Sequence, residues 1–170
     1  FQWAVAYHPY PQDLNDAKTW NDNKASFNMN TKLVTFKNLE VLSAWAQKSE
    51  NKYKKTIKRS VWLSENGTNS RTYADMYLKE QAAGFAYAWK KLKKLDGIDA
   101  MQWHNWIDHP EEYGLRIGLR KFPNDPDDPM GRKLVWYAYQ AAGTSTEDAV
   151  FEPYKAVIGI DNWNIIQEVQ

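Results

Sequence analysis

Residues 60–67 read Ser-Val-Trp-Leu-Ser-Glu-Asn-Gly, and segments with helical and strand patterns lie on both sides of this stretch. Ser60 to Ser64 has the apolar and β-branched character of a short buried strand. The strand stops at Glu65-Asn66-Gly67, because an Asn-Gly pair is typical of a tight turn. The stretch therefore predicts a buried strand that delivers a carboxylate to its carboxyl end.

Helical patterns flank this strand on both sides. Apolar residues recur at helical spacing, and glycine or polar residues bound each segment. Lysines gather at the C-terminal end of the longest segment, where the helix dipole favours cations. The predicted helices span Asn38 to Lys48, Thr72 to Leu95 and Lys133 to Ala142, with two short helical segments over Phe151 to Ile158 and Asn162 to Val169.

Single residues define the ends and the buried faces of these helices. Asn38 is the predicted N-cap of the first helix, Gly97 ends the second and Gly143 closes the third. Each predicted helix has one apolar face, and these apolar faces predict helices that pack on a sheet. The side chains expected to pack are Leu39, Leu42, Trp45 and Ala46 in the first helix, Tyr73, Met76, Tyr77, Ala83, Tyr87 and Leu95 in the second, and Leu134, Val135, Tyr137, Ala138 and Ala141 in the third.

Two further strands are predicted over Phe1 to Tyr10 and Ile98 to Trp106, and long loops follow them at Gln12 to Thr31 and Asp108 to Pro129. Strands that alternate with helices predict an α/β fold with parallel strands and right-handed crossovers. A complete (β/α)8 barrel takes about 250 residues and rarely fewer than about 200. We therefore expect the 170 residues to form one domain, the C-terminal portion of such a TIM barrel, with the upstream half outside this chain.

The composition excludes several classes of function. The 22 Lys+Arg and 21 Asp+Glu residues nearly balance, which argues against a general nucleic-acid binder. No apolar run approaches the roughly 20 residues that a membrane span needs. The chain has no cysteine, so thiol catalysis is excluded. Its 9 Trp and 10 Tyr suit a large aromatic core, and such rings also stack on sugars.

Polar residues gather where the first two predicted strands end, the place where α/β folds build their sites. His8 and Tyr10 are two residues apart, so in a strand they would face the same side. Glu65 leaves a buried strand at a turn, which suits a nucleophile or a general base. The alternative is structural: a turn carboxylate that accepts backbone N–H groups, beside a core His and Tyr with satisfied partners.

The third predicted strand ends in Gln102-Trp103-His104-Asn105-Trp106, and Asp108 and His109 follow it. Trp103 and Trp106 are three residues apart, so both cannot face inward on a regular strand. One of them would be the floor of a sugar site and the other would be packing, and alternation alone does not choose between them.

Metal and cofactor chemistry finds little support in the sequence. The chain has no His-x-His pair and no His-Glu-x-x-His motif, so we predict no metal site. It has neither a Gly-x-Ser-x-Gly elbow nor a phosphate-binding glycine loop, so we predict no serine triad and no cofactor.

Three motifs in this order resemble the C-terminal part of a clan-A glycoside hydrolase barrel. They are WAVAYHPYP (3–11), VWLSENG (61–67) and IDAMQWHNWID (98–108). In that clan a His-x-Tyr pair ends strand six, a Glu nucleophile ends strand seven and a Trp commonly ends strand eight. A closer resemblance is to a bacterial family of unknown function with a glycosidase-like barrel. It is carried by the runs AYHPYPQDL, SEN and DH-x-x-E before GL-x-x-GL. The resemblance extends to about Gly143.

The resemblance implies roles for individual residues at strands six to eight. Glu65 matches the nucleophile, Tyr10 the tyrosine that hydrogen-bonds it, and His8 a substrate-binding neighbour. Trp103 is the first match to the sugar platform of strand eight, and Trp106 is the second. The residues expected to bind substrate are His8, Tyr10, Trp103, His104, Trp106 and Asp108, and the segment Asp108, His109 and Glu112 matches the second family's own loop, to which the resemblance assigns no role.

The resemblance implies a retaining glycoside hydrolase that acts on a poly- or oligosaccharide. Retention needs two carboxylates about 5–5.5 Å apart, and the clan's acid/base Glu follows an Asn on strand four, which would lie before Phe1. The alternative is a non-catalytic carbohydrate-binding or structural barrel module. The expected partners are a carbohydrate and, because three strands leave two open sheet edges, the missing N-terminal half or another chain.

Overall fold

A computed structural model describes Phe1 and residues 3–166, and these residues include a three-stranded parallel sheet. The strands are β1 (Val5–Ala6), β2 (Val61–Asn66) and β3 (Ala100–Trp103), in the order β1-β2-β3. Val5 lies opposite Val61, and Leu63 lies opposite Met101. The mixed α/β architecture with parallel strands confirms that part of the prediction, and it is consistent with a partial barrel.

Four α-helices accompany the sheet, and two of them supply the crossovers between parallel strands. The first lies between β1 and β2, and the second lies between β2 and β3, so each forms a β-α-β unit. Within the described residues, no helix is long and apolar enough to cross a lipid bilayer. The helices are α1 (Leu39–Gln47), α2 (Asp75–Leu92), α3 (Leu134–Ala141) and α4 (Glu147–Ile158), with short 3-10 turns at Thr19–Asn21, Phe36–Asn38, Ser49–Asn51 and Trp163–Ile166.

The first and third strands are shorter than predicted. Among the described residues of the first predicted strand, Val5 donates its backbone N–H to the Ser60 carbonyl at 2.8 Å and Tyr7 donates to the Trp62 carbonyl at 2.9 Å. Pro9 and Pro11 have no N–H group, so they cannot extend the ladder. The third strand ends at Trp103 rather than Trp106. As a result, His8, Tyr10 and Trp106 lie in loops, whereas Trp103 is the last residue of β3.

Two helix predictions also need correction. Asn38 is the N-cap residue of α1, as predicted, but its side chain does not cap that helix. Thr35 instead caps the preceding 3-10 turn: its Oγ1 accepts from the Lys37 N–H, and Asn38 Oδ1 accepts from the Thr35 N–H. The predicted segment at Phe151 to Ile158 begins earlier, at Glu147. Part of the predicted segment Asn162 to Val169 is a 3-10 turn, and its residues 167–169 lie outside the described residues.

The two faces of the sheet differ in burial, because side chains alternate along a strand. One face packs into the hydrophobic core with α1 and α2. On the opposite face Ala6, Trp62 and Gln102 are exposed, and Trp62 is 47% exposed. Within the described residues the helices therefore cover one face of the sheet. The core-facing side chains are Val5, Tyr7, Val61, Leu63, Met101 and Trp103.

Helix α2 packs closely because its central residues are small. Gly84 lies where a Cβ atom would stand 2.6 Å from Thr68 Cγ2 and 2.9 Å from the Ala17 carbonyl oxygen. Met76 and Tyr137 are exposed, so the prediction that they pack is wrong. Met76 lies in the first turn of α2, whereas the buried stretch of that helix begins at Gln81.

Candidate active site

Two side chains predicted to act together meet at the carboxyl edge of the sheet. The Tyr10 hydroxyl donates to Glu65 Oε1 at 3.0 Å, although the two residues are 55 positions apart. Both side chains are half-buried. Within the described part of the chain, no hydrogen bond reaches Glu65 Oε2, so one carboxylate oxygen is available to a ligand. Their catalytic roles remain predictions.

An irregularity in β2 explains how Glu65 comes to this position. Leu63 pairs with Met101 and Asn66 pairs with Trp103, so β2 takes three steps where β3 takes two. Such a β-bulge bends the strand and re-aims a side chain. Asn66 is fully buried, and its Nδ2 donates to the Leu63 and Gln102 carbonyls at 2.9 Å, which holds the bulge together.

The glycine after this bulge is required by close packing. A Cβ atom at Gly67 would lie 2.2 Å from Ile117 Cγ2 and 2.6 Å from the His104 carbonyl oxygen. Real Cβ atoms do not approach backbone so closely, so a larger residue would displace the end of β3. Gly67 therefore allows the ends of β2 and β3 to lie side by side.

Tyr10 is a hydrogen-bond donor throughout the physiological range of pH. Burial raises the pKa of its hydroxyl, and the hydrogen bond to Glu65 and the negative charges of Glu65 and Glu112 raise it further. The phenol therefore keeps its proton. A donor held on one oxygen of Glu65 fixes the orientation of that carboxylate.

A second polar pair lies beside the first. The His104 N–H donates to the Asn66 carbonyl at 2.7 Å, which ties the end of β3 to the residue after Glu65. His104 Nε2 lies 3.2 Å from Glu112 Oε1. Since a carboxylate can only accept, Nε2 carries the proton in this pair. His104 thus connects Glu112 to the Glu65 strand.

A cavity of about 510 Å³ opens next to this pair. Trp106 is 59% exposed there, and its ring meets that of Trp136 edge-on at a centroid distance of 4.7 Å. An exposed indole beside hydrogen-bonding groups is the surface that sugar rings stack on. The cavity is lined by Asn105, Trp106, Ile107, His109, Glu111 and Glu112.

Trp103 occupies a different environment from Trp106. Its indole N–H donates to the Ile117 carbonyl at 3.0 Å, and its ring packs edge-on against Phe85 at 5.3 Å. It faces the helices with the core-facing residues of the sheet. The geometry therefore favours Trp106 over Trp103 as a sugar platform, which reverses the order that the resemblance implies.

Asp108 does not reach the open edge. It is 1% exposed, and its carboxylate accepts from Lys133 Nζ at 3.0 and 3.1 Å and from the Tyr73 hydroxyl at 2.8 Å. Burial raises the pKa of Asp108 and lowers the pKa of Lys133 to about 8, although each charge favours the other. The geometry argues against substrate binding by Asp108 and indicates a structural role.

The remaining predicted residues are at the surface. His8 is exposed, and its side chain makes no hydrogen bond within the described residues. Since β1 ends at Ala6, strand alternation does not decide which way His8 and Tyr10 point. His109 is exposed at the cavity, and its Nδ1 accepts from the Glu111 N–H at 3.2 Å. Among the described residues, no group of three or more His, Asp or Glu side chains is placed to hold a metal ion.

Two residues of the site, Asn66 and Glu112, have no role in the sequence-based prediction. From the sequence, Asn66 is predicted only as part of a tight turn. Its role in the bulge depends on how β2 pairs with β3, which the sequence around Asn66 does not reveal. Glu112 carries a sequence signal, its place in the DH-x-x-E segment, but nothing in that segment gives its contact with His104. Asn66 belongs to the site through its bond to Gln102 on the neighbouring strand, and Glu112 belongs to it through His104.

Comparison with solved structures supports a glycosidase-like fold. The chain is similar to a family 39 glycoside hydrolase from the gut symbiont Bacteroides cellulosilyticus WH2, with a TM-score of 0.51 and 20% sequence identity. The match covers 85% of this chain and 27% of that enzyme's chain. At this identity the likeness concerns the fold alone.

Comparisons by sequence give a family but no characterised relative. No curated protein matches the chain. A family model of unknown function matches residues 1–166, which is nearly the whole chain. The chain therefore belongs to DUF5722, a family of unknown function.

Proposed function

We propose that this chain carries the nucleophile side of a retaining glycoside hydrolase site, with Glu65 as the nucleophile. The observation that carries the proposal is the 3.0 Å hydrogen bond from the Tyr10 hydroxyl to Glu65 Oε1 at the carboxyl edge of a parallel sheet. That edge is where barrel enzymes place catalytic residues. The glycosidase-like fold supports the same interpretation.

The mechanism proposed for Glu65 follows from the two unlike oxygens of its carboxylate. Oε1 is held by Tyr10, and Oε2 attacks the anomeric carbon of the sugar. The glycosidic C–O bond breaks as the bond to Oε2 forms, and a second carboxylic acid protonates the departing oxygen. Water then attacks the anomeric carbon, gives its proton to that second group, and releases Glu65.

We assign β1, β2 and β3 to strands six, seven and eight of a (β/α)8 barrel. Under this assignment the acid/base carboxylate comes from barrel strands outside this chain. His8 and Trp106 line the sugar site beside Glu65, since both are exposed near strand ends. The substrate class is a poly- or oligosaccharide.

The test is trapping of the nucleophile in the natural full-length protein. Activated 2-fluoro glycosides should add one sugar mass to a peptide that contains Glu65, and Glu65→Gln should abolish both the adduct and turnover. Glu80→Gln is the matched control, because Glu80 lies on α2 and its carboxylate pairs with Lys18 rather than with Tyr10. Normal turnover in Glu65→Gln, or an adduct on another residue, would refute the assignment.

A second candidate function is carbohydrate binding without hydrolysis. The exposed Trp106 ring at the cavity supports it independently of any catalytic carboxylate. Calorimetric titration with oligosaccharides separates the two functions. Binding that depends on Trp106, with no turnover in the full-length protein, would favour the binding module.

A further inference from the structure

We propose that Glu112 sets the sugar specificity of this site: its carboxylate accepts hydrogen bonds from sugar hydroxyls, and its charge excludes sugars that carry a carboxylate. The inference rests on the proposed function and names its substrate class, which is neutral rather than acidic glycosides. Glu112 lies in the loop after β3, and the family resemblance assigns no role to it.

The first argument is position. Glu112 Oε1 lies 3.2 Å from His104 Nε2, and the backbone of His104 is bonded to Asn66, the residue after Glu65. The negative charge of Glu112 also acts on the Tyr10 hydroxyl, together with that of Glu65. Both carboxylates therefore lie within electrostatic range of the same phenol. A sugar that reaches Glu65 comes within range of Glu112.

The second argument is availability. The Glu112 side chain is 37% exposed and lines the cavity of about 510 Å³. Small-molecule sites commonly occupy roughly 300–1,000 Å³. Within the described residues no hydrogen bond reaches Glu112 Oε2, so His104 holds one oxygen and leaves the other toward the opening. An ionised carboxylate is an acceptor that sugar hydroxyls match well.

The third argument is charge. Glu111 and Glu112 line the cavity, and its lining contains no Lys or Arg in the part of the chain that the structure describes. The Arg120 guanidinium lies 5.9 Å from the Trp106 ring centroid, but it is held against the Trp136 ring at 4.5 Å and donates to the Met130 carbonyl. A uronic acid bound at Glu112 would bring a second negative charge beside it, and the cavity lining offers no Lys or Arg to pair with that charge. Like charges about 4 Å apart repel by about 1 kcal/mol in water and more where solvent is excluded.

The experiment compares glycosides that differ only at C6, the 4-nitrophenyl glucoside with the glucuronide and the galactoside with the galacturonide, in the natural full-length protein. We measure kcat/KM for hydrolysis, and binding by calorimetry in a Glu65→Gln background. The native protein should favour the neutral member of each pair. Glu112→Gln should reduce that preference by about fivefold to tenfold, the effect of one nearby charge.

Two variants separate charge from hydrogen bonding and from local disruption. Glu111→Gln removes an equal charge from the adjacent position and should reduce the preference less than Glu112→Gln does, because Glu111 is more exposed and is not held by His104. Glu112→Asp keeps the charge but shortens the side chain, so it should retain the preference while kcat/KM for the neutral sugar falls. A native preference for uronides, an unchanged preference in Glu112→Gln, or an equal shift in Glu111→Gln would overturn the inference.

The outcomes also separate this inference from the proposed function. Turnover of both members of a pair at equal rates would reject the role of Glu112 and leave Glu65 as the nucleophile. The absence of binding and turnover for every glycoside would reject both proposals together.

Discussion

Glu65 lies near the carboxyl end of β2 and Asp108 follows β3, and these two carboxylates differ in burial and in hydrogen-bond partners. Asp108 is fully buried and accepts hydrogen bonds from Lys133 and Tyr73. Glu65 is half-buried and has one partner, Tyr10, among the described residues. A carboxylate whose oxygens are all bonded to protein holds the fold together, whereas one with a spare oxygen at an opening can meet a substrate.

The loop after β3 shows the same division within a few residues. Asp108 turns inward, and its backbone N–H donates to the Arg120 carbonyl, which ties two parts of this loop together. Glu112, further along this loop, turns toward the cavity and bonds His104. The buried pair anchors the loop, and that anchoring positions the exposed pair. The following predictions test this division, in order of decreasing effect.

Replacing Asp108 should cost the most stability. Asp108→Asn leaves the Lys133 ammonium buried without its counter-charge, which destabilises by about 3–5 kcal/mol. Urea unfolding followed by circular dichroism measures the loss. The matched double variant, Asp108→Leu with Lys133→Met, removes both charges and should be much less damaging. A single-variant loss under about 1 kcal/mol would show that Asp108 is not structural.

Glu147 should give the next largest effect, and it adds a pH dependence. Burial alone would raise the pKa of Glu147, but hydrogen bonds from Lys90, the Gly143 N–H, Trp89 and Lys93 outweigh it and lower the pKa to about 2. These bonds pin the start of α4 to α2. Because the folded-state pKa is below the usual 4.5, this stabilisation is present above about pH 4.5 and is lost as the pH falls toward 2.

The measurement for Glu147 is the free energy of unfolding between about pH 7 and about pH 2.5. Glu147→Gln should cost about 2 kcal/mol at neutral pH, and the difference from the native protein should shrink at acid pH. Glu152→Gln on the exposed side of α4 is the control. A difference that stays constant with pH would contradict the role of the ionised carboxylate.

Removing the Tyr10 hydroxyl should have a smaller effect, on activity rather than stability. Tyr10→Phe removes the donor that orients Glu65, and kcat should fall about tenfold, the worth of one hydrogen bond to a charged group. Tyr7→Phe is the control, because it also removes a tyrosine hydroxyl. The Tyr7 hydroxyl donates to the Val34 carbonyl at 3.0 Å, so kcat should stay unchanged. Equal effects in the two variants would refute the orientation of Glu65 by Tyr10.

The smallest effect should be that of Glu65→Gln on stability. The substituted amide would still accept from Tyr10 through its oxygen, and the site is half-buried, so the free energy of unfolding should change by less than about 0.5 kcal/mol. Urea unfolding measures it. A loss comparable with that of Asp108→Asn would place Glu65 among the structural carboxylates and erase the distinction between the two.

The fold is predictable where local patterns carry the information. The helix predicted over Asn38 to Lys48 corresponds to α1 (Leu39–Gln47), and the strand at 60–64 corresponds to β2. Periodicity finds them because one face of each is buried. The prediction overextends the first strand, because apolar character in Phe1 to Tyr10 indicates burial but not which N–H groups find partners.

The site is predictable in part. The motifs indicate Glu65 and Tyr10 as neighbours, and their side-chain oxygens lie 3.0 Å apart. The same motifs group Asp108 with the substrate-binding residues and rank Trp103 above Trp106. Those assignments depend on burial. Asp108 is buried against Lys133, 25 positions away, and Trp103 packs against Phe85 on α2 and bonds Ile117, 14 positions away.

Local sequence is enough to put a carboxylate at the end of a buried parallel strand, and the family resemblance adds a tyrosine from the segment after the preceding strand. Apolar runs and turn residues act over a few positions, and parallel strands bring their carboxyl ends to one edge. Which carboxylate keeps a free oxygen depends instead on tertiary contacts. The β2 bulge held by Asn66 and the Lys133 ammonium beside Asp108 join residues that are far apart in the chain. The His104 contact to Glu112 joins residues in the segment after β3, and it depends on how that irregular segment folds, which no periodic pattern encodes.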